Sequence, residues 1–230
     1  MKNYILGGGT VYFLENTILS PGEKVKRIRG YLGSKQSEIT GGRVTRNLIS
    51  YIENGKTKLV KDTAEIIAEN MLKEATEKKI PLKITAEYLM WDKETQARNL
   101  LEKYADEVVN NITKDKNFDR VLEQAEDILS SWDIKDKKAM IDEIVGDYFY
   151  NKNLFVKSNI SYVKALENYI IVSDNIKIAE VYSKLGRNKI ILKDYQEGIY
   201  YNQRSKLILD ENSIDDTKIY NSILYNNALA

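Results

Sequence analysis

Residues 20–56 read SPGEKVKRIRGYLGSKQSEITGGRVTRNLISYIENGK. The opening four residues are a helix start. Ser20 supplies a side-chain acceptor for the first free N–H groups, and Pro21 fits the first helical position because its missing N–H is not needed there. Glu23, three residues after the serine, completes a capping box. Val25, Ile28 and Leu32 then fall on one helical face, and Gly33 ends the helix. Lys24, Lys26, Arg27 and Arg29 take its remaining faces. A short second helix is expected over 35–40 and a third over 44–53, with Gly41-Gly42 between them. Val44, Leu48, Ile49 and Ile52 are the apolar positions of the third, and Asn54-Gly55 closes it. Residues 62–79 follow as a longer amphipathic helix with Ala64, Ile67, Ala68, Met71, Leu72 and Ala75 on one stripe.

Charge sets this stretch apart. Residues 20–61 hold ten Lys/Arg and three Asp/Glu, a balance of +7 in a chain whose net charge is only +1. A basic segment joined to a mildly acidic remainder suggests one end that meets nucleic acid and another with a different task. Two prolines and twelve glycines in 230 residues favour helices throughout. The chain has no cysteine and no histidine. That excludes disulfides, thiol nucleophiles, Cys or His metal ligands and any His-based triad. The expectation is a non-enzyme without cofactor or metal, in a reducing, cytoplasmic compartment, and no apolar run is long enough to span a bilayer.

Residues 1–19 are expected to be a disordered or non-native extension. Gly7-Gly8-Gly9 lacks the lysine and following helix of a phosphate loop, and initiation near Leu14 is the expected alternative start. Residues 20–79 form the first domain and 80–91 a linker.

From 92 to 230 the chain repeats. Val145-Gly146, Phe149, Asn153, Phe155, Ser158, Tyr162 and Ala165 share every internal offset with Leu185-Gly186, Lys189, Lys193, Tyr195, Gly198, Asn202 and Ser205. This spacing predicts helix pairs over 139–172 and 179–212, read as two 34-residue units with a six-residue insertion. A weaker copy runs through 102–135 with Phe118, Val121 and Ala125. Residues 218–230 read as the first helix of a further unit, so the chain is expected to end in mid-repeat.

Residues 22–56 resemble the Xre/lambda-repressor-like helix-turn-helix family: Gln36 opens the second helix, a glycine turn follows, and VTRNLISYIENGK is recognition helix plus exit turn. Ser34 and Thr40 depart from the family, standing where it often has apolar or alanine residues. The resemblance implies that the third helix lies in the major groove of double-stranded DNA. Its outward face then presents Thr45, Arg46, Asn47, Ser50 and Tyr51 to base edges, types suited to guanine, adenine and the thymine methyl. Gln36, Asn54 and Lys56 match phosphate-gripping positions, and Lys35 and Arg43 join them on charge. A homodimer on paired half-sites is expected.

The later region resembles tetratricopeptide repeats. The fold expected is therefore all-α: a lambda-repressor-like helix-turn-helix followed by a tetratricopeptide-like α-solenoid. The pairing resembles the Rap/Rgg/NprR/PlcR/PrgX peptide-sensing regulators of Gram-positive bacteria. That resemblance implies a short signalling peptide on the concave face, with Glu143, Asp147, Tyr150, Asn151, Ser183, Arg187, Asn221 and Tyr225 as candidate contacts. Glu143 and Asp147 stand i, i+4 on one helical face, which reads as a solvated repeat surface rather than acid–base machinery. The alternatives are a constitutive repressor whose repeats only dimerise, and a protein-interaction adaptor.

Overall fold

The computed structural model describes residues 16–111 and 117–230. Among them every regular element is an α-helix, eleven in all, and there is no strand. The described residues divide into two compact units that part between Leu100 and Leu101. The expected alternative start near Leu14 lies outside the described residues.

In the first unit, α1 (Pro21–Tyr31) starts on the capping box. The Glu23 amide donates to Ser20 Oγ at 3.3 Å, and the Ser20 amide donates to Glu23 Oε2 at 2.8 Å. α2 (Arg46–Glu53) starts on Thr45, whose Oγ1 accepts from the Leu48 amide at 3.2 Å. α3 (Lys61–Glu77) buries Ala64, Ile67, Ala68, Met71 and Ala75 against Val25, Ile28, Ile49 and Ile52 in one core.

The helix expected over 35–40 is absent. Residues 36–39 form turns, with the Glu38 amide on the Lys35 carbonyl at 3.1 Å and the Lys35 amide on Glu38 Oε2 at 2.8 Å. Gly41 and Gly42 follow at φ of 58° and 70°. Six residues ahead of such a reversal are too few to repay helix nucleation. Ser34 and Thr40 are buried polar residues with partners. Ser34 Oγ donates to Glu74 Oε2 at 2.8 Å, and Thr40 Oγ1 donates to the Ser37 carbonyl at 2.8 Å.

The segment expected to be a linker belongs to the first unit's core. α4 (Ala86–Met90) is capped by Thr85, and Ile84, Tyr88 and Leu89 join the apolar cluster. Leu19, placed in the expected extension, is also buried, and Gln96 bonds both its amide and its carbonyl. Lys24 is not on a solvent face either. It is fully buried, and its amine donates to the carbonyls of Tyr88 at 2.5 Å and Trp91 at 2.6 Å. A lysine there caps the C-terminal end of α4, where unpaired carbonyls need donors.

The unit boundary falls within α5 (Lys93–Asn111), and α6 (Phe118–Ser131) follows. Two helix pairs of matching layout come next. α7 (Lys135–Asn151) and α8 (Phe155–Val172) form the first; α9 (Asn175–Ile191) and α10 (Tyr195–Glu211) form the second. α11 (Thr217–Ala228) then packs on both α9 and α10.

The period is one 40-residue unit, not a 34-residue unit plus insertion, because α7 and α9 each begin four residues before the expected 139 and 179. The turns repeat with the helices. Asn153 and Lys193 both take left-handed backbone, as do Ser173 and Ser213. The Leu154 amide bonds the Phe149 carbonyl and the Asp194 amide bonds that of Lys189, each at 2.9 Å. These are helix-terminating bonds of one type, set in register. The conserved-offset glycines mark close crossings: a Cβ at Gly146 would lie 2.4 Å from the Tyr162 ring, and one at Gly186 would lie 2.3 Å from Asn202 Oδ1. In α6, Val121 and Ala125 are buried, and Phe118 stacks on Tyr148 at 3.6 Å between ring centroids.

Candidate functional site

α2 is amphipathic, with Ile49, Ile52 and Glu53 turned inward. Thr45, Arg46, Asn47 and Tyr51 are exposed and Ser50 is half-buried. Arg46 and Asn47 make no side-chain hydrogen bond or ion pair among the described residues, so their donors are available outward. The Thr45 hydroxyl is already used as a cap, which leaves its methyl group as the outward feature. Asn54 Nδ2 returns to the Ser50 carbonyl at 2.7 Å, and the Lys56 amine lies 6.0 Å from the Tyr51 ring centroid.

Glu53 organises the back of this surface. Arg29 donates to it through Nε at 2.5 Å and Nη2 at 2.9 Å, and Gln36 Nε2 adds a third bond at 2.8 Å. The Arg29 Nη1 also reaches the Ser34 carbonyl at 2.9 Å. One buried carboxylate thus ties α1, the 34–36 turn and α2 together. Hydrogen bonding to Glu53 keeps Arg29 above its ordinary range. The sequence pattern places Arg29 on a remaining face of the first helix and matches Gln36 to a phosphate-gripping position. In the structure Gln36 spends one amide hydrogen on Glu53 and keeps the other. The available signal was an arginine late in α1 paired with an acid ending an apolar helix.

The expected phosphate contacts fare differently. Lys35 is exposed and makes no ion pair among the described residues, whereas Arg43 pairs with Glu69. Lys26, Arg27, Arg46, Lys58 and Lys61 are likewise exposed and form no ion pair among the described residues. Several of the unit's carboxylates are engaged besides Glu69, among them Glu53 by Arg29, Glu74 by Lys78 at 2.7 Å, and Glu23 by its own capping bonds and Lys93. Backbone and side-chain bonds from Ser20 hold the Glu23 carboxyl at about 2.

In the second unit, α7 and α9 build a charged cluster against tyrosines of α8. Glu143 is only 4% exposed. It accepts from Tyr169 Oη at 2.7 Å and Lys184 Nζ at 2.6 Å, with Lys177 at 3.3 Å. Asp147 accepts from Tyr162 Oη at 2.6 Å and Lys184 Nζ at 3.0 Å. Burial alone would lower the Lys184 amine, but Glu143, Asp147 and Glu180 reverse that and hold it above its ordinary value. Burial, with these carboxylates, pushes the Tyr162 and Tyr169 hydroxyls up. The Arg187 guanidinium lies 3.5 Å from the Tyr150 ring centroid and donates from Nη2 to Tyr162 Oη at 3.3 Å.

Four of the expected peptide contacts, Glu143, Asp147, Tyr150 and Arg187, are therefore brought together. Glu143 is a buried ion-pair centre and not the solvated repeat surface that its spacing suggested. Ser183 is buried, donating to Ser222 Oγ at 2.9 Å and accepting from Asn226. Asn151 bonds its own helix at Asp147, and Asn221 and Tyr225 are exposed on α11.

Among the described residues no group of three or more acidic, His or Cys side chains could hold a metal ion. No helix among them is long and apolar enough to cross a membrane. Comparison with known proteins found no matching family model, no matching curated protein and no matching solved structure.

Proposed function

We propose that the chain is a sequence-specific DNA-binding regulator. Residues 20–79 act as a lambda-repressor-like helix-turn-helix, and the later helix pairs form a tetratricopeptide-like receiving and dimerising region. The observation that carries the reading is the outward face of α2. Arg46 and Asn47 stand exposed near its N-terminal end with their donors unspent, flanked by unpaired cations, while Glu53 is neutralised behind them. Such a face can place an arginine on guanine and an asparagine on adenine, and lysines on phosphate. A helix N-terminus adds favourable partial charge toward the DNA backbone. The one-turn segment at 36–39 stands in for the second helix, anchored by Gln36 on Glu53.

Selection of duplexes from a random pool tests this. The protein should enrich one motif, and Arg46→Ala should weaken binding to it by roughly 1–3 kcal/mol while relaxing choice at one base pair. Lys35→Ala should weaken all duplexes alike and lower the salt slope by about 1. Failure to enrich any duplex at low salt overturns the proposal.

One observation favours a second reading for the repeat region. Glu143, Asp147 and Ser183 already spend their polar groups on partners within the chain. Side chains so committed suit a constitutive regulator whose repeats only dimerise. DNA affinity that does not change with added culture supernatant would select this reading over peptide sensing.

A further inference from the structure

α8 carries an apolar stripe that its own fold does not use. Ser158, Tyr162, Ala165 and Tyr169 are the buried side of the helix. On the opposite side Val156, Ile160, Ile170 and Ile171 are 62%, 56%, 52% and 63% exposed, with Val163 between them at 39%. The spacing 156, 160, 163, 167, 170 alternates four and three, the pattern of a helix–helix seam. Glu167 is the single polar interruption.

The 40-residue period shows that this stripe is not a requirement of the repeat. The positions of α10 equivalent to 156, 160, 163, 167, 170 and 171 are Gln196, Tyr200, Gln203, Leu207, Asp210 and Glu211. Four of those six are polar, where α8 has one. A helix in the same structural role thus tolerates a wet face, and α8 departs from it in one direction only.

We propose that α8 pairs antiparallel with the α8 of a second copy of this chain, about a two-fold axis level with residue 165. The charges beside the stripe choose the occupant. Lys157, Lys164, Glu167 and Asp174 are all exposed. In this register Ile160 faces Ile170 of the copy, Lys164 lies beside its Glu167, and Lys157 beside its Asp174. A two-fold axis makes each pairing twice. Neither Lys164 nor Glu167 forms a close ion pair among the described residues; their charges act only at longer range on Asp142. A parallel arrangement in register would set Lys164 against Lys164 and Glu167 against Glu167, which like-charge repulsion disfavours. An 18-residue helix is about 27 Å long. One face of that length falls short of the roughly 800 Å² per partner of a standard interface, so the association is reversible and concentration-dependent. This rests on the dimerising role proposed for the repeat region and names the face that pairs, while it does not depend on DNA binding.

Sedimentation analysis of the full chain, from micromolar to high-micromolar concentration and without DNA, tests the proposal. The wild type should pass from monomer to dimer mass. Ile160→Glu, a change at an exposed site, should remain monomeric with an unchanged circular dichroism spectrum. Lys164→Glu and Glu167→Lys should each weaken dimerisation about tenfold or more, and the double variant should recover to near the wild-type constant. A wild type that stays monomeric throughout overturns the proposal. So does a dimer that the single variants leave intact, or a double variant that stays as weak as either single.

Discussion

Lys24→Met should flatten the pH dependence of the first unit's stability. The wild-type amine is fully buried on two carbonyls, and burial, opposed by Asp92, lowers it from the ordinary 10.5 to about 7. Between those values the unfolded chain binds a proton that the folded chain does not, so stability rises with pH across that window. Below about pH 7 the amine is charged in both states and contributes no further slope. Integrated from pH 7 to pH 10, the linkage amounts to about 3–4 kcal/mol. Methionine keeps the apolar stem but carries no proton to lose. The assay is urea unfolding at several pH values in that window, with Trp91 fluorescence as the probe. The chain has two tryptophans, and a Trp132→Phe background leaves only the one in the first unit. The gap between wild type and Lys24→Met should widen in favour of wild type as pH rises. Profiles that run parallel would refute the burial argument.

Two further perturbations address the internal contacts. Glu53→Ala strands Arg29 and Gln36 together and should destabilise the first unit by roughly 2–4 kcal/mol, less than a fully buried pair would cost because Arg29 keeps partial solvent contact. Chemical denaturation measures it, and a loss under about 0.5 kcal/mol would return Glu53 to the rank of an ordinary surface acid. Gly146→Ala gains about 1 kcal/mol of helix propensity but puts a methyl 2.4 Å from the Tyr162 ring. Overpacking of that kind costs about 1–3 kcal/mol, so the second unit should be net destabilised, and a raised melting temperature would show that the α7–α8 crossing can yield.

Much of the backbone was legible along the chain. The capping box at Ser20 and Glu23 needs only three residues of spacing, and it forms as read. The paired glycines at 146 and 186 and their shared offsets located two helix pairs, because a repeated crossing needs a small residue at the same place each time. The same offsets do not give the unit length, since α7 and α9 begin at Lys135 and Asn175. Offsets inside a repeat reveal where helices cross, but not how far they extend beyond the crossing. That limit is set by turns whose left-handed residues are Asn153, Lys193, Ser173 and Ser213, none of them the glycine that normally marks such a turn. The exposed face of α2 was similarly readable, since Ile49 and Ile52 fix which side is buried.

The sequence by itself determined helices, their apolar faces, the basic segment and the repeat, all properties carried by residues within one or two turns of each other. Tertiary structure alone decided which charges are spent. Lys24 sits one turn before Ile28 on the inward side, and only the return of α4, more than sixty residues later, supplies the carbonyls that make its burial tolerable. Glu53 needs Arg29 from another helix, and Glu143 needs Lys184 from the next repeat unit. A buried charge is stabilised by partners distant in the chain, and no local pattern names them. The same contrast separates the apolar stripe of α8 from a core face: its spacing is identical, and only packing shows that the chain leaves it uncovered.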